Sequence, residues 1–412
     1  MRKKTLIALI LALTTLAGCG IRQNDIAATE ITKDVPMAVI DYADEEIQGD
    51  VGEFSYKLFG QEMEENCVMS PLSAYLAVGM AAAGSKGDTR AEFNSVLGDD
   101  FARIADEYMD SIPTQTEEMK VLLANSAWID NRISPKENWL TDIKAQYKAK
   151  GYQTDLSTEK TMKDVNAWID ENTGHLIPEF LDEPMEEAVV MALFNTVYFD
   201  GKWKYPFEAY ATKERDFFLE DGDITKVNMM SEHMVHRDAI VGKNCMGVVL
   251  PYADDRFAYV ALMPTDDTTI REMYNSLSQS QMKEMIAARQ EQFMNLRLPK
   301  YEVEADVDLI PYFEALGVEK AFTGEADFSG LAHAVGEGDL AISIIRQSAL
   351  LQVDELGTKA AAVTQVAIKE TAMEITEQPV EMYFDRPFFY MIYDMKEEIP
   401  LFMGIYDKPG ES

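Results

Sequence analysis

Cysteine and histidine are scarce in this chain, with three cysteines and four histidines among 412 residues. Three cysteines cannot build a disulfide framework. None stands in a C-x-x-C pair, so the usual zinc and redox pairs are excluded as well. Basic residues are in deficit, 37 Lys and Arg against 72 Asp and Glu, for a formal net charge of −35. A field of that sign repels phosphate backbones and anionic headgroups, so nucleic acid is not a partner and no membrane is held electrostatically. Catalytic templates are missing too: there is no G-x-S-x-G elbow, no G-x-G-x-x-G or Walker loop and no H-E-x-x-H. His233 and His236 lie in a Met-rich segment that reads as a loop and have no obvious carboxylate partner. They read as surface residues, so neither a metal nor a cofactor is expected. No Gly/Ser-rich or Pro-rich stretch divides residues 46–409, and no fixed-period repeat runs through them. What is abundant is core-forming material: 47% hydrophobic and 10% aromatic residues, which argues for a packed globule and against disorder.

The first residues stand apart from that globule. Arg2, Lys3 and Lys4 precede the apolar run Leu6 to Leu16, which is too short to span a bilayer and fits a signal peptide. It ends in Leu16-Ala17-Gly18-Cys19, which resembles the bacterial lipobox, where the cysteine is lipidated and becomes the new N-terminus. The expected organisation is a signal peptide over 1–18, a lipidated and flexible tether over 19–45, and one domain over 46–409. Acyl chains bury about 0.8 kcal/mol per methylene, so anchoring needs no basic patch. The protein is then expected outside the cytoplasm, held to a bacterial membrane or envelope or shed from it.

Within the domain, helical and strand signals alternate. Val51, Phe54, Leu58 and Phe59 recur at helical spacing. Ser70-Pro71 reads as an N-cap followed by proline at the first helical position, and Leu72 to Ala83 is apolar almost all round, as in a buried helix. Val189–Phe199, Met246–Met263, Ala341–Val353, Met382–Tyr393 and Leu401–Tyr406 are rich in β-branched and aromatic residues and read as buried strands. The class is α+β. Cys67 and Cys245 sit in apolar contexts and read as buried free thiols.

Residues 354–381 admit two readings. Lys359-Ala360-Ala361-Ala362-Val363 has the composition of a helix. Taken by twos, Thr358, Ala360, Ala362, Thr364, Val366 and Ile368 form a face free of charge, while Lys359 and Lys369 lie on the other. No proline interrupts Thr358 to Gln378, as a central strand requires. The segment suits both a solvated loop or helix and a strand within a sheet.

An ordered set of motifs resembles the serpin family across nearly all of residues 46–409. It runs Asn66-Cys67-Val68-Met69-Ser70-Pro71-Leu72-Ser73, Gly84 to Arg90, Val165-Asn166-Ala167-Trp168 with Thr173-Gly174-His175-Leu176, and Asn195 to Trp203. Leu298-Pro299-Lys300-Tyr301, Leu316-Gly317, Ala326 to Gly330, Asp385-Arg386-Pro387-Phe388 and Leu401 to Gly404 complete it. The resemblance implies three β-sheets with about eight or nine helices and an exposed reactive-centre loop near 355–381. It also implies inhibition of a serine protease rather than catalysis. The protease cleaves the loop and forms an acyl-enzyme. The freed hinge then inserts as a new strand of the large sheet, dragging the protease with it.

By the same resemblance, Glu355, Gly357, Thr358, Ala360, Ala361 and Ala362 form the hinge. Ser70, Ser73, Asn195, Trp203 and Gln347 form the shutter and breach, and Thr371-Ala372 is the reactive bond within Glu370–Met373. Small residues ahead of that bond suit an extracellular elastase-like enzyme, and a covalent complex with a monomeric inhibitor is expected. A trypsin-like target would have to cleave after Lys369. Small hinge residues can enter a sheet with little steric cost, whereas a charge at Thr358 would be buried at several kcal/mol. On the order of fifteen to twenty new ladder bonds at about 1 kcal/mol each release roughly 15–20 kcal/mol. That compares with the roughly 5–15 kcal/mol stability of a protease domain. Gln347 stands where the family usually has a histidine, and its amide is expected to bond Asn195 or Ser70. Leu356, Lys359 and Val363 are further departures that leave the inward face small. The alternative is a non-inhibitory serpin acting as a surface binding or chaperone-like protein, which a bulky or proline-bearing hinge would favour.

Overall fold

The computed structural model describes residues 26–38, 40, 42, 47–62, 66–265, 268–333, 340–358 and 378–409. Cys19, Ala360, Ala361, Ala362, Thr371 and Ala372 lie outside the described residues, as does the signal peptide.

Nine α-helices and three sheets of eight, nine and two strands are present among the described residues. The serpin fold and α+β class implied by the sequence are found. The eight-stranded sheet runs from Thr29–Glu30 through Lys150–Thr154, Met119–Asp130, Met191–Lys202, Gly357–Thr358 and Ile344–Val353 to Tyr301–Asp308. In the nine-stranded sheet, Ile224–Val241, Cys245–Pro251, Phe257–Pro264, Phe388–Asp394 and Ile399–Tyr406 pair antiparallel in that order. All but Ile224–Val241 fall in the β-branched and aromatic runs of the sequence, and these four are buried on both faces along most of their length.

Helix Pro71–Gly84 lies between the sheets and touches both Met191–Lys202 and Ile399–Tyr406. Ser70 caps it by accepting from the Ser73 amide at 3.3 Å, with Pro71 at the first position as expected. A second, smaller core lies beneath helix Glu159–Asn172, the cover helix, where Val165, Trp168 and Ile169 pack with Trp128, Tyr152 and Phe194 of the large sheet.

Three expectations are corrected. Residues 26–35 are not free tether, because Thr29 and Glu30 extend the large sheet against Gln153 and Tyr152. Main-chain pairing at an open sheet edge needs no hydrophobic pattern, which is why a polar segment docks there. His233 and His236 lie on strand Ile224–Val241 rather than in a loop, with a local bulge at Met234, whose φ is 57°. The start of the segment expected to form an exposed reactive loop is not exposed, since Gly357 and Thr358 are buried as a strand of the large sheet. Cys67 and Cys245 are buried, as expected.

Candidate functional site: a half-opened slot in the large sheet

Strands Met191–Lys202 and Ile344–Val353 pair directly, and in parallel, only where Ile344–Arg346 meet Ala192–Phe194. Further along, among the described residues, they are not paired with one another until the hinge comes between them. There Gly357 and Thr358 oppose Lys202 and Gly201 on one side, and Thr358 opposes Val353 on the other. The intervening stretch, from Asn195 and Gln347 upward, is a slot. Thr196, on the strand that borders it, has a buried Oγ1 without a hydrogen-bond partner.

The breach end is built around a tight turn. The Asp354 carboxylate accepts from the amides of Leu356 (2.8 Å) and Gly357 (3.3 Å), and the Asp354 amide donates to the Gly357 carbonyl at 2.9 Å. This is the Asx-type local bonding that turns a chain back on itself. Trp203 holds the turn from the sheet side. Its indole Nε1 donates to the Asp354 carbonyl at 2.8 Å and its amide to the Leu356 carbonyl at 2.9 Å.

Glycine is required at 357, where an added Cβ would meet the Gly201 carbonyl oxygen at 2.0 Å. Thr358 is fully buried, and its hydroxyl bonds the Tyr252 hydroxyl. Tyr252 in turn stacks on Trp203 with ring centroids 4.7 Å apart. Glu355 is pinned by Lys300 Nζ and by the Thr212 hydroxyl, each at 2.8 Å. Partial burial pushes its carboxyl pKa up, but the bonds from Lys300 and Thr212 outweigh that, and the group sits below its ordinary value.

The shutter end is a bracket around the start of helix Pro71–Gly84. The Ser70 amide donates to Gln347 Oε1 at 2.8 Å, and Gln347 Nε2 returns a bond to the Ser70 carbonyl at 2.7 Å. The Ser73 hydroxyl donates to Asn195 Oδ1, and Asn195 Nδ2 donates to Asn125 Oδ1 at 2.6 Å. Asn125 Nδ2 continues the chain to the Tyr147 carbonyl at 2.8 Å. One helix end therefore ties the strand carrying Gln347 and the strand carrying Asn195, one on each side of the slot. Of the two partners expected for Gln347, it takes Ser70 through the main chain and not Asn195.

The structure thus brings Ser70, Ser73, Asn195 and Gln347 together at one end, and Trp203, Glu355, Gly357 and Thr358 at the other. Tyr252, Lys300, Thr212 and Asp354 were not anticipated as parts of the site. Asp354 carried a local signal, an aspartate opening an Asp-Glu-Leu-Gly turn. Tyr252 carried none, since it meets Thr358 across 106 positions. Among the described residues no three His, Cys, Asp or Glu side chains are grouped to hold a metal.

The native-state structure of tengpin, a thermophilic serpin, is similar with a TM-score of 0.84 at 28% identity, covering 92% of this chain and 99% of that one. Human thyroxine-binding globulin, solved with its hormone, is similar in fold, with a TM-score of 0.78 at 23% identity and coverage of 88% and 98%. Alpha-1-antiproteinase 2 of Equus caballus is 25% identical over 406 residues, 94% of this chain and 92% of its own. Residues 50–409 match the family described as serpin (serine protease inhibitor), and the chain belongs to that family.

Proposed function

We propose that this protein inhibits an extracellular serine protease as a single-use substrate. The protease cleaves its loop and is held as an acyl-enzyme, and the hinge then inserts into the large sheet. The observation that carries this reading is the seating of Gly357 and Thr358 between two strands that stand unpaired just ahead of them. Strand addition there lengthens a strand already begun, so insertion starts without a separate nucleation step. Among the curated relatives, alpha-1-antiproteinase 2 and the serine proteinase inhibitor A3K of Cavia porcellus are inhibitors by name, which supports the same reading.

The uncharged face Thr358, Ala360, Ala362, Thr364 and Val366 is the composition that an inserted strand needs. Thr371-Ala372 as the reactive bond favours an elastase-like target with a small primary pocket. The Leu16-Ala17-Gly18-Cys19 motif supports a lipid anchor on the outside of a bacterial cell. Cys19→Ser is expected to move the protein from the membrane fraction to the soluble fraction.

The deciding experiment mixes the protein with elastase-, chymotrypsin- and trypsin-like proteases and resolves the products on denaturing gels. A covalent band with one enzyme, and a C-terminal fragment whose mass begins at Ala372, is the expected result. Complete loop cleavage with every protease left active would replace this reading with a non-inhibitory one.

A further inference from the structure

The two segments that hold the hinge also wall a cleft. Trp203 and Tyr252 bridge one another, and the Lys204 amide donates to the Pro251 carbonyl at 3.0 Å. Lys204, Tyr205 and Pro251, their neighbours in the chain, line a cleft of about 890 Å³. Small-molecule sites typically measure about 300–1,000 Å³. The floor is one face of the nine-stranded sheet. Asp238 opposes Glu291 on one side and Val249 on the other. Two residues along the same face, His236 opposes Phe293 and Pro251 opposes Ala258. Met234 and Met395 add to the apolar lining.

The charges of this cleft do not balance. Lys204 pairs with Asp255 at 2.5 Å, Arg237 with Glu232 at 3.1 Å and Arg289 with Asp238 at 3.0 Å. Among the described residues the exposed Glu291 has no such partner, and it stands directly opposite Asp238. Like charges at facing strand positions repel. The nearby cations are already committed. Arg289 gives Nε to Asp238 and Nη1 to the Ile286 carbonyl at 2.9 Å. The Arg237 guanidinium lies 4.7 Å from the ring centroid of the half-exposed Tyr205. Three cations thus face four carboxylates, and one negative charge is left at the edge of an apolar floor. A dicarboxylic or phosphate ligand would add to that excess. A cation on an aliphatic chain answers it, because the charge meets Glu291 while the methylenes leave water against Val249, Pro251 and Met395.

We propose that this cleft binds an aliphatic polyammonium ligand, of the polyamine class, with one ammonium placed between Glu291 and Asp238. Its occupancy steadies the wall formed by Lys204 and Pro251, and through Trp203 and Tyr252 it holds Gly357 and Thr358 more firmly in the sheet. The inference goes beyond the inhibitory reading and is tested without any protease.

The test is calorimetric titration of the full-length protein with spermidine in 150 mM sodium chloride, with suberate as the anionic counterpart. One spermidine per chain and no binding of suberate are expected. Affinity should fall at least tenfold in Glu291→Gln and be unchanged in Glu304→Gln, which removes an exposed acid of the large sheet. Glu291 is exposed and repelled, so Glu291→Gln should melt no lower than the natural protein. Bound spermidine should raise the protection factors of the Gly357 and Thr358 amides at least threefold in the natural protein and not in Glu291→Gln. Equal affinity in Glu291→Gln would overturn the proposal, because it reports a diffuse ion atmosphere around an acidic protein. Suberate binding, a lower melting temperature for ligand-free Glu291→Gln, or unchanged protection of the hinge with spermidine bound would each overturn it as well.

Discussion

At the shutter, strands Met191–Lys202 and Ile344–Val353 are hydrogen-bonded to each other, and one helix end brackets them through Ser70, Ser73, Asn195 and Gln347. At the breach, two residues of the hinge stand between the same strands, held by Tyr252, Trp203 and Lys300. The first end is closed by direct strand pairing and by these side chains. The second is occupied by Gly357 and Thr358. The proposed insertion would start from the second end, and the side-chain bonds in its way lie at the first.

The largest way to break this comparison is Thr358→Arg. A guanidinium in a fully buried position facing Tyr252 costs several kcal/mol, so the hinge should leave the sheet and fail to re-enter it. Gels should then show cleaved loop without covalent complex, and an undiminished covalent band would contradict strand insertion.

Next in size is Asn195→Ala at the shutter. It strands the Ser73 hydroxyl and Asn125 Oδ1 in a buried site, and about 2–4 kcal/mol should be lost in denaturant unfolding. Gln347→Ala should cost less, about 1–2 kcal/mol, because the Ser70 carbonyl keeps the Ala74 amide and only the Ser70 amide is left unpaired. A larger loss for Gln347 than for Asn195 would reverse the weighting of the bracket.

Gln347→His sharpens the comparison through pH. The natural amide has no proton to gain, so the bracket itself does not titrate. A buried histidine would resist protonation, placing its folded pKa below the ordinary value of about 6.5. The stability of that variant should be full above this value and decline as pH falls through it, measured as melting temperature between pH 8 and pH 5.

The smallest effect lies at the breach. Glu355 has a depressed pKa, so its contribution is complete above the ordinary carboxylate range near about 4.3 and is lost as pH falls below it. The protection factors of the Gly357 and Thr358 amides, corrected for the intrinsic pH dependence of exchange, should fall there in the natural protein. In Glu355→Gln they should already be lower at pH 7, with the acid dependence removed.

Much of this was legible in one dimension. Ser70-Pro71 announced the helix that forms the bracket, because capping is settled within four residues. The strand runs were visible in their β-branched and aromatic composition, and the ordered motifs carried the fold. His233 and His236 misled, since a bulged strand with an exposed face loses the alternation by which strands are recognised. Residues 26–35 read as tether because their partners, Asp164 and Lys144, lie more than a hundred positions away and bind backbone that carries no signature.

The sequence by itself determined the family, the uncharged alternate residues from Thr358 to Ile368 and the absence of any catalytic or metal template. These depend on residue type and local order, which a chain carries before it folds. Tertiary structure alone decided that the hinge begins inside the sheet, that Tyr252 receives Thr358, that Gln347 bonds Ser70 and not Asn195, and that residues 26–35 are bound. Each of these is a choice between partners distant in the chain, and burial resolves it, since a polar group removed from water must take whichever partner the packing brings within reach.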